Sequence, residues 1–228
     1  MIEGIVFDLW NTLAHNVAKP DPMRLLAEAL GIDGERRWVR RIERGMMLAP
    51  AAGMEGALRQ IEAREGLRIE DPDLRRTVVD RWNRAGDDAA LFPDVLPALV
   101  KLRRRYRLGL LSNTQSFGLQ FLDRDGLWDH LDASAFSFEV GALKPRSEMF
   151  EAMAARMALA PDKLLMVGDQ PRDDILGARD AGMRALRLER PGNPPRRHGE
   201  VDEEGNDGVL LTDLAALPEE VARLSAIG

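Results

Sequence analysis

The sequence predicts an α/β chain in which a Rossmann-like parallel sheet is interrupted by an all-helical insertion. Three observations carry this prediction. Short apolar runs rich in branched residues recur along the chain, several of them ending on a polar or acidic residue, as strands buried on both faces do. Between them lie segments with apolar residues at three- and four-residue spacing, so strand and helix alternate as in a doubly wound sheet. From about residue 20 to 89 that alternation stops, and helical spacing alone remains.

The first predicted strand is 4–8, a β-branched apolar run that stops at Asp8. Four helical segments follow, at 22–30, 35–48, 55–65 and 72–84. Asp21-Pro22 and Asp71-Pro72 each place a side-chain acceptor before a proline at the first helical position, which is how a helix start reads in sequence. Alternation then resumes. Helices are predicted at 95–105, 117–125, 147–157, 173–181 and 218–224. Strands are predicted at 108–112, 133–138, 164–169 and 185–188, with a sixth at 208–211. The proline- and glycine-bearing stretch 190–208 reads as a mobile surface loop. The organisation expected is a core of residues 1–16 and 90–228 with a four-helix cap, 17–89, inserted after the first strand. In such a fold the site lies where the insertion meets the carboxyl ends of the strands.

Composition narrows the function classes. The chain has 228 residues, 45% hydrophobic and 31% charged, with a net charge of -6, which fits a folded globular protein and not a disordered or membrane one. The longest basic block is Arg103-Arg104-Arg105, too little to neutralise a phosphate backbone, so no nucleic-acid partner is expected. No apolar stretch approaches the ~20 residues a bilayer requires, so no membrane partner is expected either. Cysteine is absent, which removes disulfides, thiolate metal sites and a cysteine nucleophile. The amino terminus has an acid at Glu3 and a short apolar run, unlike a signal peptide, and the expected location is the cytoplasm.

Four polar signals fall at or just after predicted strand ends. Asp8 opens Asp8-Leu9-Trp10-Asn11-Thr12-Leu13; a carboxylate leaving a buried strand suits a nucleophile, a metal ligand or a plain turn aspartate. Ser112-Asn113-Thr114 offers a hydroxyl and backbone N–H groups at a helix start, a natural anion site or an ordinary cap. Lys144, before Pro145, is a cation that could neutralise a phosphate, although most lysines are solvated. Finally, Gly168-Asp169 ends a strand and Asp173-Asp174 follows. Acids there serve a helix dipole, or converge with Asp8 on Mg²⁺.

In this order and spacing the four signals resemble the haloacid dehalogenase superfamily, the aspartate-nucleophile hydrolases that are mostly phosphatases. The resemblance covers nearly the whole chain. It extends to Leu91-Phe92-Pro93-Asp94-Val95, to Met149-Phe150 after Lys144-Pro145, and to Asp174-Ile175-Leu176-Gly177-Ala178 with Ala181-Gly182-Met183. It implies that Asp8 is the nucleophile and forms an aspartyl-phosphate. It also implies that Asp8, the carbonyl of Trp10, Asp169 and Asp174 hold Mg²⁺, that Ser112 and the Asn113 N–H bind phosphoryl oxygens, and that Lys144 balances the charge. The partner implied is a small phosphorylated metabolite.

One position departs from the phosphatase pattern. The second aspartate, two residues after the nucleophile, is Trp10, whose indole N–H donates only and has no accessible pKa, so it does no acid–base work. Asn11 stands where glycine is usual, a smaller departure because Asn tolerates turn geometries. Superfamily dehalogenases commonly carry an aromatic residue at the Trp10 position and work without metal, but they usually lack the Gly168-Asp169 signal. Three readings follow: an Mg²⁺-dependent phosphatase, a metal-independent 2-haloacid dehalogenase, or a catalytically weak phosphate-binding module. Secondary expectations are that His15 reaches substrate and that 48–54 faces it. His130 and His198 are read as structural or solvated, Trp38, Trp82 and Trp128 as packing, and Arg36-Arg37 with Arg40-Arg41 as a solvated helix face.

Overall fold

The computed structural model describes residues 1–192 and 210–226. Its centre is a six-stranded sheet. Strand β1 (Gly4–Phe7) lies between β4 (Arg107–Ser112) and β6 (Leu164–Gly168); β5 (Ala133–Phe136) flanks β4, and β7 (Arg184–Leu188) and β8 (Leu210–Leu211) extend the other edge. Every pair in this sheet is parallel. The chain leaves β1 toward neighbours on both sides, which opens a crevice at the carboxyl ends of the central strands.

Alternation along the strands divides the core in two. Ile5 and Phe7 of β1, Leu108 and Leu110 of β4, and Leu165 and Val167 of β6 face one apolar cluster, which also holds Leu99 of α5 (Val95–Leu102) and Val221 of α10 (Leu217–Ala226). Val6, Leu111, Leu164 and Met166 face the opposite cluster, with Phe150 and Met153 of α8 (Ser147–Met157). Gly109 belongs to this second face. A side chain there would strike Met153 and Met157, so glycine lets α8 lie close on the sheet.

Helices α1 (Pro22–Ala29), α2 (Trp38–Met46), α3 (Gly53–Glu65) and α4 (Pro72–Ala85) follow β1 in a third apolar cluster built on Leu26, Ile42, Met46, Ile61 and Val78. Both sequence-based helix starts are as expected: Asp21 and Asp71 accept hydrogen bonds from the next turn, and proline opens each helix. The insertion is entered and left through a feature absent from the sequence reading, the antiparallel pair β2 (Ala14–Asn16) and β3 (Ala89–Leu91). Three-residue strands carry too little alternation to show in a sequence. Among the described residues no helix is long and apolar enough to cross a membrane.

Several boundaries differ from expectation. The helix expected over 117–125 is only α6 (Phe121–Arg124), because Gly118 takes φ +72° and a side chain on Gly86 would strike its backbone. The strand expected to 138 ends at Phe136 and turns into α7 (Ser137–Val140), closed by Gly141 at φ +76°. The helix expected from 173 starts earlier as a π-helical turn, Pro171–Leu176, before α9 (Gly177–Asp180); π turns are frequent at functional sites. The helix expected over 95–105 stops at Leu102. Arg190, placed at the start of the expected mobile loop, is buried. Its guanidinium bonds the Thr12 carbonyl and Asp94. The rest of that loop from residue 193, and the first half of the sixth strand, lie outside the described residues.

Phe150 is fully buried between α8 and Gly177, where an added Cβ would meet its ring. Phe150→Ala is expected to cost about 3–5 kcal/mol of unfolding free energy. Urea titration of both proteins checks this, and the slope of the transition should be unchanged.

Candidate active site

Asp8 follows directly on β1. Its N–H still donates to the Val167 carbonyl at 2.9 Å, so the sheet ladder itself sets the position of the carboxylate at the crevice. The chain then folds back tightly: the Leu9 carbonyl accepts from the N–H groups of Leu13 and Ala14, and Asn11 takes φ +61°. That left-handed conformation suits Gly or Asn and explains why Asn is tolerated there.

Lys144 binds this carboxylate to its neighbours. Its ammonium donates to Asp8 Oδ1 at 2.7 Å, to Asp174 Oδ1 at 2.6 Å and to the Leu111 carbonyl at 2.9 Å. An ammonium has three protons, and all three are used. Lys144 is 2% exposed, Asp8 6% and Asp174 0%. The second oxygen of Asp174 accepts from the Gln170 N–H at 2.9 Å, and a side chain at Gly168 would overlap that carboxylate. Asp169 receives the amide of Gln170 and, at 3.5 Å, that of Asn11.

Oxygen atoms of Asp8, Asp169 and Asp174 all lie within 4.8 Å of one another. Three buried carboxylates face one lysine, so positive charge is in deficit. Burial pushes the Asp8 carboxyl up to about 7; the Asp174 charge adds to the rise, and Lys144 opposes it. Asp169 is raised well above the usual carboxylate range by burial and then by Asp8 and Asp174. Burial works against the Lys144 charge, yet Asp174 and Asp8 hold its pKa above the usual value. Three hard oxygen donors with an unbalanced negative charge fit a divalent cation such as Mg²⁺.

Asn113 clamps the Lys144 backbone from both sides. Its Oδ1 accepts from the Lys144 N–H at 2.8 Å, and its Nδ2 donates to the Lys144 carbonyl at 3.3 Å. Ser112 is fully buried at the end of β4, with its hydroxyl directed at the Asn113 carbonyl. The Trp10 indole N–H donates to Thr114 Oγ1 at 3.1 Å, and its ring packs on Phe121 with centroids 5.6 Å apart. A cavity of about 310 Å³ lies over these groups, with Asp8, Trp10, Asn113, Lys144, Asp169 and Asp174 in its wall. Of the seven residues expected to carry catalysis, phosphate binding or metal binding, all but Ser112 line this one space.

The sequence reading missed how the insertion meets the site. Arg40, expected on a solvated face, reaches across instead: its guanidinium donates to Asp173 Oδ1 at 2.5 Å, to the Lys144 carbonyl at 3.0 Å and to Glu43 at 3.0 Å. Its neighbour Arg41 pairs with Glu35 and Glu65. Helical spacing shows which face of α2 is charged but not which charge faces a partner. Asp173, beside Asp174, was the available signal. His15 is not in the cavity wall; it stacks on Phe92 with centroids 4.5 Å apart, and burial with the Arg190 charge lowers its pKa. The 48–54 loop is absent from the wall too: Ala51 is tied to the Ser116 hydroxyl, and Met47 lines the cavity instead. Trp38 and Trp128 pack against apolar clusters as expected. Trp82 does so as well, with its indole N–H donating to the Pro22 carbonyl, but one side of it faces the cavity. His130 ends a short 3₁₀ turn, and His198 lies outside the described residues.

A family model described as haloacid dehalogenase-like hydrolase matches residues 2–182. The chain is 33% identical over 197 residues to the phosphoserine phosphatase of Thermus thermophilus, a match covering 82% of this chain and 74% of that protein. It is 34% identical over 130 residues to the glyceraldehyde 3-phosphate phosphatase of Methanothermobacter thermautotrophicus, covering 56% of this chain and 57% of that one. The match thus spans little over half of that relative's length. Among solved structures, a 2-haloacid dehalogenase from Pseudomonas syringae has the same fold at TM-score 0.65 and 24% identity, covering 98% of this chain and 100% of that one. A HAD phosphatase from Thermococcus onnurineus has it at 0.64 and 19%, covering 96% and 98%.

Two outcomes test the electrostatics. The folded chain holds the Asp8 proton up to about pH 7, whereas the ordinary value is 3.8, so the native state binds more protons than the unfolded one between these limits. Stability therefore falls as pH rises through that window. With divalent cations chelated, Asp8→Asn removes this loss; the variant's stability relative to wild type should rise steadily from about pH 4 to pH 7 and then level off. Urea denaturation across that range measures it. Separately, a double-mutant cycle of Arg40→Met and Asp173→Asn should return a coupling of about 1–3 kcal/mol, against near zero for a pair that is merely close.

Proposed function

The chain belongs to the haloacid dehalogenase-like hydrolases, and from that premise we propose that it is an Mg²⁺-dependent phosphatase of a small phosphorylated metabolite, working through an aspartyl-phosphate on Asp8. The observation that carries this reading is the set of three buried carboxylates whose charge one lysine does not balance. The two sequence relatives named above are called phosphatases, which supports the same chemistry, while one of the two structural neighbours is called a 2-haloacid dehalogenase.

In this reading Asp8, Asp169, Asp174 and the Trp10 carbonyl hold the metal. Mg²⁺ would supply charge stabilisation for the phosphoryl oxygens and let the anionic substrate approach an anionic nucleophile. A carboxylate oxygen of Asp8 attacks phosphorus, the new O–P bond forms, and the bond from phosphorus to the leaving oxygen breaks. Water then cleaves the acyl-phosphate, releases inorganic phosphate and restores the carboxylate. Lys144 orients Asp8 and offsets charge, the Asn113 N–H takes a phosphoryl oxygen, and the Ser112 hydroxyl takes another only by turning from the Asn113 carbonyl toward the cavity. The four-helix segment 17–89 serves as the cap that excludes water, held to the core by Arg40.

A second reading, hydrolytic dehalogenation of a 2-haloacid, is favoured by one observation. Trp10 occupies the position of the general acid, and a departing halide needs no proton. In that reaction Asp8 forms a bond to carbon as halide leaves, and water cleaves the ester.

Assay of purified protein on a phosphatase panel and on 2-haloacids, each with and without Mg²⁺, separates the two. Phosphate release that requires Mg²⁺, with no halide release, is expected; metal-independent halide release overturns the proposal. Asp8→Asn should abolish turnover while keeping the fold. Asp169→Asn should weaken Mg²⁺ binding by more than about tenfold in calorimetry, with equal binding counting against the metal site.

A further inference from the structure

Resting on the Mg²⁺ site of the phosphatase reading, we infer that Arg40 is a positioning residue for the reaction. By holding both the Lys144 peptide and the turn that carries Asp174 to helix α2, it makes the geometry of the carboxylate cluster depend on docking of the insertion. The juxtaposition that carries this is a double bridge between the same two segments. From inside the site, the Lys144 ammonium reaches Asp174 Oδ1 at 2.6 Å. From the insertion, the Arg40 guanidinium reaches the Lys144 carbonyl at 3.0 Å and Asp173 Oδ1 at 2.5 Å. Arg40 therefore grips the residue that bears the ammonium and the immediate neighbour of the carboxylate that the ammonium binds. It is not in the cavity wall, so its route to the chemistry runs through these two partners and not through substrate.

Both gripped segments answer to the insertion. Asp173 and Asp174 share the π-helical turn Pro171–Leu176, in which the Asp174 N–H donates to the Gln170 carbonyl at 2.9 Å, so a shift of the turn moves both acids together. Lys144 sits where the chain passes between two apolar clusters. Ala142 belongs to the cluster that α8 makes with the sheet, and Leu143 belongs to the cluster of the insertion. Asn113 then holds the Lys144 carbonyl at 3.3 Å from the core, and Arg40 holds the same oxygen from α2.

Geometry, more than adhesion, is what such a contact supplies. The side chains of Arg40 and Asp173 are 17% and 3% exposed, and for a pair so far out of water desolvation offsets much of the attraction. A planar guanidinium fork, by contrast, fixes the direction of each acceptor that it bonds. The other arginines of α2 are used differently: Arg41 and Arg44 both pair with Glu65, inside the insertion.

The test titrates Mg²⁺ alone into the full chain by calorimetry, with no substrate present. Simple charge and positioning predict opposite signs. Removing a positive charge near three carboxylates tightens binding of a divalent cation by Coulomb attraction, whereas misplacing those carboxylates weakens it. For Arg40→Met the Kd should rise about tenfold, the low end for loss of a group behind the ligands. Arg40→Lys keeps the charge but not the fork; it should weaken binding in the same direction, and it serves alone if Arg40→Met does not fold. At saturating Mg²⁺, kcat on para-nitrophenyl phosphate should fall about tenfold while KM changes by less than about threefold. Unchanged or tighter Mg²⁺ binding in Arg40→Met, or wild-type binding in Arg40→Lys, overturns this inference and leaves the phosphatase reading standing. So does a raised KM with kcat unchanged, which would make Arg40 a substrate contact. Failure of the wild-type chain to bind Mg²⁺ overturns both.

Discussion

A single buried ammonium organises the carboxyl edge of the sheet. Lys144 draws Asp8 from the end of β1 and Asp174 from the turn after β6 to within hydrogen-bond distance, and its third proton ties both to β4 through the Leu111 carbonyl. Three neighbouring strands thus share one charge. Such a cluster is poor value for stability, since desolvating the ions costs as much as their attraction returns. Its worth lies in geometry: two carboxylates that would otherwise separate are held side by side in a buried site.

Much of the surrounding structure serves to keep that ammonium in place. Asn113 fixes the Lys144 backbone through both its N–H and its carbonyl. Gly168 leaves room for the Asp174 carboxylate, and the π-helical turn that starts at Pro171 brings the Gln170 N–H to its other oxygen. Arg40 bonds the same Lys144 carbonyl from the insertion. The helical unit is therefore connected to the charged cluster through the Lys144 carbonyl and through Asp173, the neighbour of Asp174.

Trp10 sits in the same network with a different character. Its indole is fixed by Thr114 on one side and Phe121 on the other, so it forms a rigid apolar wall in a site otherwise built from charge. The apolar wall continues into Met23, Met47, Trp82 and Phe117, residues that also belong to or pack against the core of the insertion. One set of side chains thus holds the four helices together and shapes the space above the carboxylates.

The α/β class, the succession of the main strands along the chain and the helical insertion were all legible in the sequence, because strand and helix periodicities are local properties of the chain. So were Asp8, Asn113, Lys144, Asp169 and Asp174 as residues of interest, since each lies at or beside a strand end or in a segment whose spacing resembles a known family. Their convergence was not legible as distances. It depends on β1 lying between β4 and β6, an arrangement made by pairing across more than a hundred residues. Arg40 shows the limit most clearly: its helical face reads as solvated, and only the docking of α2 on the core turns it toward Asp173. The short strands β2 and β3, the truncated α6 and the absence of His15 from the cavity wall have the same origin. Local pattern tells what a segment can form and which face is apolar. Which polar group meets which partner is decided when distant segments pack, because a hydrogen bond or ion pair is specified by position to within a few tenths of an ångström and periodicity is not.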